Sequence, residues 1–216
     1  MRLSVLLTVL FCVGCPHKMP TISIKPDLLD SLHPNNQITG HFKLRGTGLK
    51  RLLGNIDLDI IAKNPHYLYL SIDSFFNQPA RIVTYDGQNL YGIEEDKLEE
   101  MLSLPIEPEE LVEILLRNYS PYPQEIEKIE TQKNQVLVKY HSGNALTLDI
   151  DTKTNEIKKR TLINPLGKLI YTVTYEDFPK YFHLEANYKN KNHAMTLSGE
   201  DVKLNQGVFD EQLFRR

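Results

Sequence analysis

The sequence predicts a mainly β protein (class α+β), an antiparallel sheet or barrel of about 11 strands with a helical insertion near its middle. Apolar and polar residues alternate at a period of two along most of the chain, as at Ile56, Leu58 and Ile60. Short turn signals separate these alternating runs at an even spacing. The period changes to that of a helix around residues 96–117, which places the insertion after the fifth strand.

Composition supports one globular domain and argues against a nucleic-acid-binding protein. The 216 residues are 41% hydrophobic and 25% charged, enough to build a core. Lys and Arg number 25 against 28 Asp and Glu, a net charge of −3, so the basic surplus typical of nucleic-acid binders is missing. The two cysteines are Cys12 and Cys15, which leaves no cysteine for a disulfide, a metal site or a nucleophile in the rest of the chain.

The N-terminus has the pattern of an export signal over residues 1–14. Arg2 precedes an apolar run at 3–13, which is shorter than the roughly 20 residues that a membrane span needs. The run ends in Cys12-Val13-Gly14-Cys15, which resembles the bacterial lipobox, with Cys12 in the usual place of Leu. That resemblance implies lipidation of Cys15, cleavage before it and a lipidated tether over 15–25. An ordinary cleaved signal peptide with soluble export remains the alternative.

Elements of the first half follow from local patterns. Leu28, Leu29 and Leu32 favour a short helix within 26–32. Strands are then predicted at 38–47, 55–62, 67–73, 80–85 and 89–94. Asp86-Gly87 is a strong hairpin signal, so it joins the last two of these strands.

The helical insertion has a clear start signal. Pro108 suits the first turn of a helix, and Glu109 and Glu110 complement the positive end of the helix dipole. Leu111, Val112 and Leu115 form one apolar stripe, which predicts a helix over 108–117 that covers part of the core. A second short helix is predicted at 96–104.

Strand patterns resume after the insertion. Turn residues separate seven alternating runs, at 125–132, 135–141, 145–151, 156–163, 168–178, 181–188 and 193–204. A linker rich in Pro or Ser does not interrupt this part of the sequence, so we expect one domain over 26–216.

This organisation resembles the LolA/LolB lipoprotein-carrier superfamily. The run 68–73 followed by Phe75 and Phe76 resembles the third strand and its loop in LolB, and Leu104-Pro105 before 109–116 resembles the lid helix. The last strand with Phe209 and Phe214 resembles the C-terminal end of LolA-like chains. The resemblance implies an unclosed antiparallel half-barrel with a helical lid. The chain has no Trp where the family does, which indicates a divergent member.

The resemblance also implies an apolar lipid-binding hollow. The residues expected to line it are Leu58, Ile60, Leu68, Leu70, Ile72, Leu111, Leu115, Val138, Leu148, Tyr171 and Val173. A closed core with no ligand would give the same alternation, so both interpretations stay open. Phe75 and Phe76 are expected in a loop that contacts the membrane or a partner, with a place in the core as the alternative.

Catalytic motifs are not apparent. The seven His form neither HxH nor HExxH pairs, and the chain has no GxSxG elbow and no glycine-rich phosphate loop. We therefore expect no enzyme activity, no metal and no cofactor. Lys153, Lys158, Lys159 and Arg160 form a modest basic patch, interpreted as an exposed hairpin that could also touch anionic lipid headgroups.

Together these features predict a lipoprotein anchored through acylated Cys15 at the periplasmic face of the outer membrane. It would bind acylated lipoproteins or other lipids, with a periplasmic carrier protein as a further partner and no nucleic acid. A structural or assembly lipoprotein that uses the same sheet to bind a protein is the alternative, and a lipid hydrolase is a minor one.

Overall fold

A computed structural model describes residues 35–47, 55–72, 81–102, 104–119, 125–206 and 214. Several sequence predictions lie outside these residues: the signal peptide at 1–14, lipidation of Cys15, the tether at 15–25, the helix within 26–32, the Phe75 and Phe76 loop, and Phe209.

The described residues form one sheet of 12 strands with two helices between the fifth and sixth. The elements are β1 (Gln37–Thr47), β2 (Asn55–Lys63), β3 (Tyr67–Ile72), β4 (Arg81–Asp86), β5 (Leu90–Tyr91), α1 (Glu95–Leu102), α2 (Pro108–Leu116), β6 (Ile126–Gln132), β7 (Gln135–Tyr140), β8 (Ala145–Asp151), β9 (Glu156–Ile163), β10 (Leu169–Asp177), β11 (Tyr181–Tyr188) and β12 (Lys191–Leu204).

Strand order explains why the sheet stays open. Every pair is antiparallel, and β1 pairs with both β2 and β12, so the first and last strands lie at the centre. The edges are then β5 and β6, and the segment that joins them carries both helices. The prediction of an unclosed antiparallel sheet with a helical insertion is confirmed, with 12 strands where about 11 were expected.

Alternation decides which face of each strand enters the core. On β3, Leu68, Leu70 and Ile72 are buried toward the helices, and the residues between them lie on the other face. Phe214 covers part of that outer face. Its buried ring packs edge-on against Tyr67 and Tyr69, with ring centroids 5.5 Å and 6.4 Å apart. Aromatic pairs in this geometry add to the stabilisation that burial gives.

Helix α2 begins at Pro108 and ends as Arg117 turns into the left-handed region at φ 55°. The backbone N–H groups of Arg117 and Asn118 donate to the carbonyls of Ile114 and Glu113, at 3.1 and 2.9 Å, and close the C-terminus. Seven of the nine helical residues are buried, a set that includes Glu113. A helix buried on so much of its surface needs partners for its polar side chains as well as its apolar ones.

Hydrogen bonds fix the C-terminal end of α2 to the rest of the fold. Asn35 donates to the carbonyl of Leu116 at 2.7 Å, and Asn118 donates back to the carbonyl of Asn35 at 2.5 Å. The hydroxyl of Tyr175 on β10 donates to the carbonyl of Ile114 at 3.0 Å. These bonds satisfy carbonyls that the end of a helix leaves without intrahelical partners.

Candidate functional site

One side of α2 faces an apolar cavity. The cavity has a volume of about 60 Å³ and lies between the two helices and the central strands. The described residues that line it are all apolar: Leu44, Leu58, Ile60, Leu70, Leu102, Leu104, Leu111, Ile114, Leu115, Val173, Phe182, Leu184, Met195 and Leu197. Space of this kind stays dry and favours an apolar occupant, because water would find no hydrogen-bonding partner there.

The predicted lining residues fall into two groups. Six of them line the cavity: Leu58, Ile60, Leu70, Leu111, Leu115 and Val173. The others are buried in the same core away from the cavity: Leu68, Ile72, Val138, Leu148 and Tyr171. The structure brings all of them to one core, and contact with lipid stays a prediction for each. Phe182, Leu184, Met195 and Leu197 also line the cavity but were not predicted to do so. Their alternation with polar residues on the last two strands could have indicated it.

The other side of α2 contacts a buried polar network. The Arg160 guanidinium of β9 lies 3.3 Å from the Glu110 carboxylate of the helix. Arg160 also donates to the hydroxyl of Tyr171 at 2.9 Å and to the carbonyl of Asn118 at 3.1 Å. Tyr171 in turn donates to Glu110, and Tyr85 of β4 donates to Glu109. Polar side chains thus tie the helix to both halves of the sheet.

Burial of Arg160 corrects the prediction of an exposed basic hairpin. Lys153, Lys158 and Lys159 are exposed, but Arg160 is only 4% exposed. The pairing of β8 with β9 shifts register between Asp149 and Ile150, and Arg160 shares its face with buried Leu162. Arg160 lies two residues before Leu162 on the same strand, and this spacing in the sequence could have indicated its inward position.

The protonation states of this network follow from its burial. Burial raises the pKa of Tyr140 to about 12. Burial also raises the pKa of Tyr171 well above its usual value, and the Glu110 carboxylate adds to this effect. Burial lowers the pKa of Arg160, but Tyr171 and Glu110 outweigh it and raise that pKa overall. At neutral pH the tyrosines are therefore neutral and the guanidinium is charged.

A second, polar cavity of about 270 Å³ lies beside the network. It is lined by Pro105, Glu107, Glu109, Glu110, Glu113, Glu125, Tyr140, Ser142, Asn144, Arg160, Leu162 and Ile170. Glu113 is 4% exposed, and its carboxylate lies 3.6 Å from the ring of His66 in the turn between β2 and β3. Glu113 carried no predicted role, since glutamates in a helix usually face solvent.

Two further features bear on membrane and metal chemistry. Among the residues that the structure describes, none of the helices is long and apolar enough to span a membrane. The same residues contain no group of three or more His, Cys, Asp or Glu side chains arranged to hold a metal ion.

Comparison with known proteins identifies the architecture. The sequence matches no protein-family model and no curated protein. The fold is similar to a LolA superfamily protein from Nitrosomonas europaea, with a TM-score of 0.58 and 12% identity over 87% of this chain and 96% of that one. It is also similar to a DUF1329 family protein from Desulfovibrio piger, with a TM-score of 0.51 and 9% identity over 87% and 94% of the two chains.

Both similarities extend over nearly the full length of the solved proteins, so they cover the whole architecture. Identity this low establishes the fold, and function has to be argued from the site. The open sheet, the insertion that joins its edges and the apolar cavity beneath α2 agree with the similarity. The chain has a LolA-like fold.

Proposed function

We propose that this protein binds the acyl chains of lipoproteins or of other lipids in the hollow beneath α2 and serves in lipoprotein localisation or lipid transfer. The observation that carries the proposal is a cavity lined only by apolar side chains, between the sheet and a helix that joins its edges. Similarity to a LolA superfamily protein supports it.

The size of the cavity implies that cargo enters by displacing α2. Small-molecule sites usually enclose roughly 300–1,000 Å³, but this cavity has about 60 Å³. Leu111, Ile114 and Leu115 of the helix are buried and line this cavity on the side opposite the sheet. An acyl chain would replace these side chains against the sheet, and each buried CH₂ contributes about 0.8 kcal/mol.

The proposed place of action is the periplasmic face of the outer membrane, where acylated Cys15 would anchor the chain. Several acyl chains on one cysteine are sufficient for firm anchoring. The Phe75 and Phe76 loop would then contact the membrane or a periplasmic carrier protein during transfer. Binding and transfer of this kind make and break no covalent bond, so the proposed role is that of a carrier or receptor and not of an enzyme.

Native mass spectrometry of the full chain, purified from the envelope of a bacterial host, tests the proposal. We expect a co-purifying acyl lipid or acylated peptide near one equivalent, identified after extraction. A bare mass together with no uptake of a fluorescent fatty acid would overturn the proposal and favour a lipoprotein that binds a protein partner through the same sheet.

A matched pair of variants tests the location of the site. Leu184 is partly buried and lines the cavity, whereas Leu204 is partly buried against the core elsewhere. We expect Leu184→Phe to fill the cavity and reduce bound lipid several-fold, and Leu204→Phe to retain it. Equal retention by both variants would place lipid binding outside this cavity.

A further inference from the structure

The proposed lipid function does not use the polar cavity. It lies between the acidic side of α2 and strands β7, β9 and β10, with Ser142 and Asn144 of the β7–β8 turn at its rim. Its volume of about 270 Å³ is close to that of small-molecule sites, roughly 300 Å³ upwards.

The charge of this cavity favours a cation. Among the residues that the structure describes, five glutamates line it against one guanidinium. The charge of Arg160 is already paired with Glu110, and its three nitrogens donate to Tyr171, Asn118 and Glu110. An incoming anion would therefore meet uncompensated negative charge, and an incoming cation would reduce it.

Glu113 provides an independent indication of a ligand. Its side chain is only 5% exposed, yet neither carboxylate oxygen has a hydrogen-bond donor within the part of the chain that the structure describes. The ring of His66 approaches the carboxylate at 3.6 Å, an ion-pair contact that is too long for a hydrogen bond. A buried carboxylate without donors is costly, so a donor from a ligand would be favourable there.

The remaining lining suits an alkyl chain that carries the charge. Leu162, Ile170 and Pro105 provide apolar surface, and the Tyr140 ring can interact with a cation through its face. Tyr140 stays neutral below pH 10, since burial raises its pKa to about 12. The cavity thus combines carboxylates, an aromatic ring and aliphatic side chains, which match an ammonium group on a methylene stem.

We propose that the cavity between α2 and strands β7, β9 and β10 is a binding site for an alkylammonium group, with the buried Glu113 carboxylate as its principal partner. The group can come from a free polyamine or from a lysine side chain of a peptide. This site is separate from the apolar cavity, and it is complete only while α2 lies closed against the sheet.

Isothermal titration calorimetry of the full chain at low salt, with spermidine as the probe, tests the proposal. We expect saturable binding of spermidine, and none of triethylene glycol, a neutral molecule of similar length, or of inorganic phosphate. A blocked tripeptide, N-acetyl-Ala-Lys-Ala amide, distinguishes the two sources: tighter binding than spermidine supports a peptide lysine, and weaker binding supports a free polyamine. No saturable heat with either amine, or binding of phosphate, would overturn the proposal.

Three isosteric variants locate the site. We expect Glu113→Gln to raise the Kd for spermidine about tenfold or more, because it removes a desolvated charge. Glu125→Gln, at the exposed rim, should raise the Kd about two- to threefold, since solvent screens that charge. Glu185→Gln, exposed on β11 outside the cavity, should leave the Kd unchanged. A melting curve for each variant verifies folding, and equal binding by folded Glu113→Gln and wild type would contradict the assignment.

Discussion

The two sides of α2 face walls of opposite character. Toward the central strands, Leu111, Ile114 and Leu115 meet an entirely apolar surface. Toward β7–β10, Glu110 and Glu113 meet a guanidinium, buried tyrosines and a polar cavity. The polar face of this amphipathic helix thus contacts protein groups of β4 and β9–β10, and only Glu113 on it is buried.

The two walls hold α2 by different interactions. Apolar contacts are non-directional, so an acyl chain of adequate size can replace them. Hydrogen bonds to Arg160 and Tyr85 are directional, and breaking one leaves a buried partner unsatisfied. The apolar wall therefore suits exchange of occupants, and the polar wall fixes where the helix lies when it is closed.

The largest expected effect comes from removing the charge at the centre of the polar wall. We expect Arg160→Met to lower the free energy of unfolding by about 3 kcal/mol, because it leaves the partly buried Glu110 without its cation and Tyr171 without its donor. Urea denaturation measures the loss. Lys158→Met, on the exposed face of the same strand, is the matched control and should change little. A change in Arg160→Met as small as that in Lys158→Met would show that the network adds nothing to the stability of the fold.

A smaller effect is expected on the apolar wall. Leu115→Ala should lower the free energy of unfolding by about 2–3 kcal/mol. This loss is near the lower end of the range for buried Leu→Ala substitutions, because Leu115 already borders a cavity. Leu166→Ala, at a position 80% exposed, is the control and should leave the urea midpoint unchanged. If Leu115→Ala costs more than Arg160→Met, the apolar wall and not the polar one holds the helix.

The smallest effect is a dependence of stability on alkaline pH. Burial raises the pKa of Tyr140 from 10.0 to about 12, so the folded state retains a proton that the unfolded state releases. That contribution is complete below pH 10 and is lost as the pH rises through about 12. Urea midpoints across this range should fall, and Tyr140→Phe should reduce the slope. Full ionisation near pH 10 in the folded protein, seen as absorbance at 295 nm, would contradict the raised pKa.

Local signals in the sequence were sufficient to predict most of the strands and α2. The predicted strand at 145–151 coincides with β8, and Pro108 marks the start of α2 as expected. Such features depend on neighbours a few residues apart. The inward position of Arg160 was missed for two reasons. Two basic residues precede it, and the register shift between β8 and β9 arises only when the two strands pair.

The sequence by itself determined the antiparallel strands, the helical insertion and the apolar residues of the core, because alternation and turn residues act over short distances. Only the tertiary structure decided that β1 pairs with β12, that Glu110 meets Arg160 and that Glu113 is buried beside a polar cavity. Those contacts join residues far apart in the chain, and a side chain's charge does not reveal whether a distant strand will bury it.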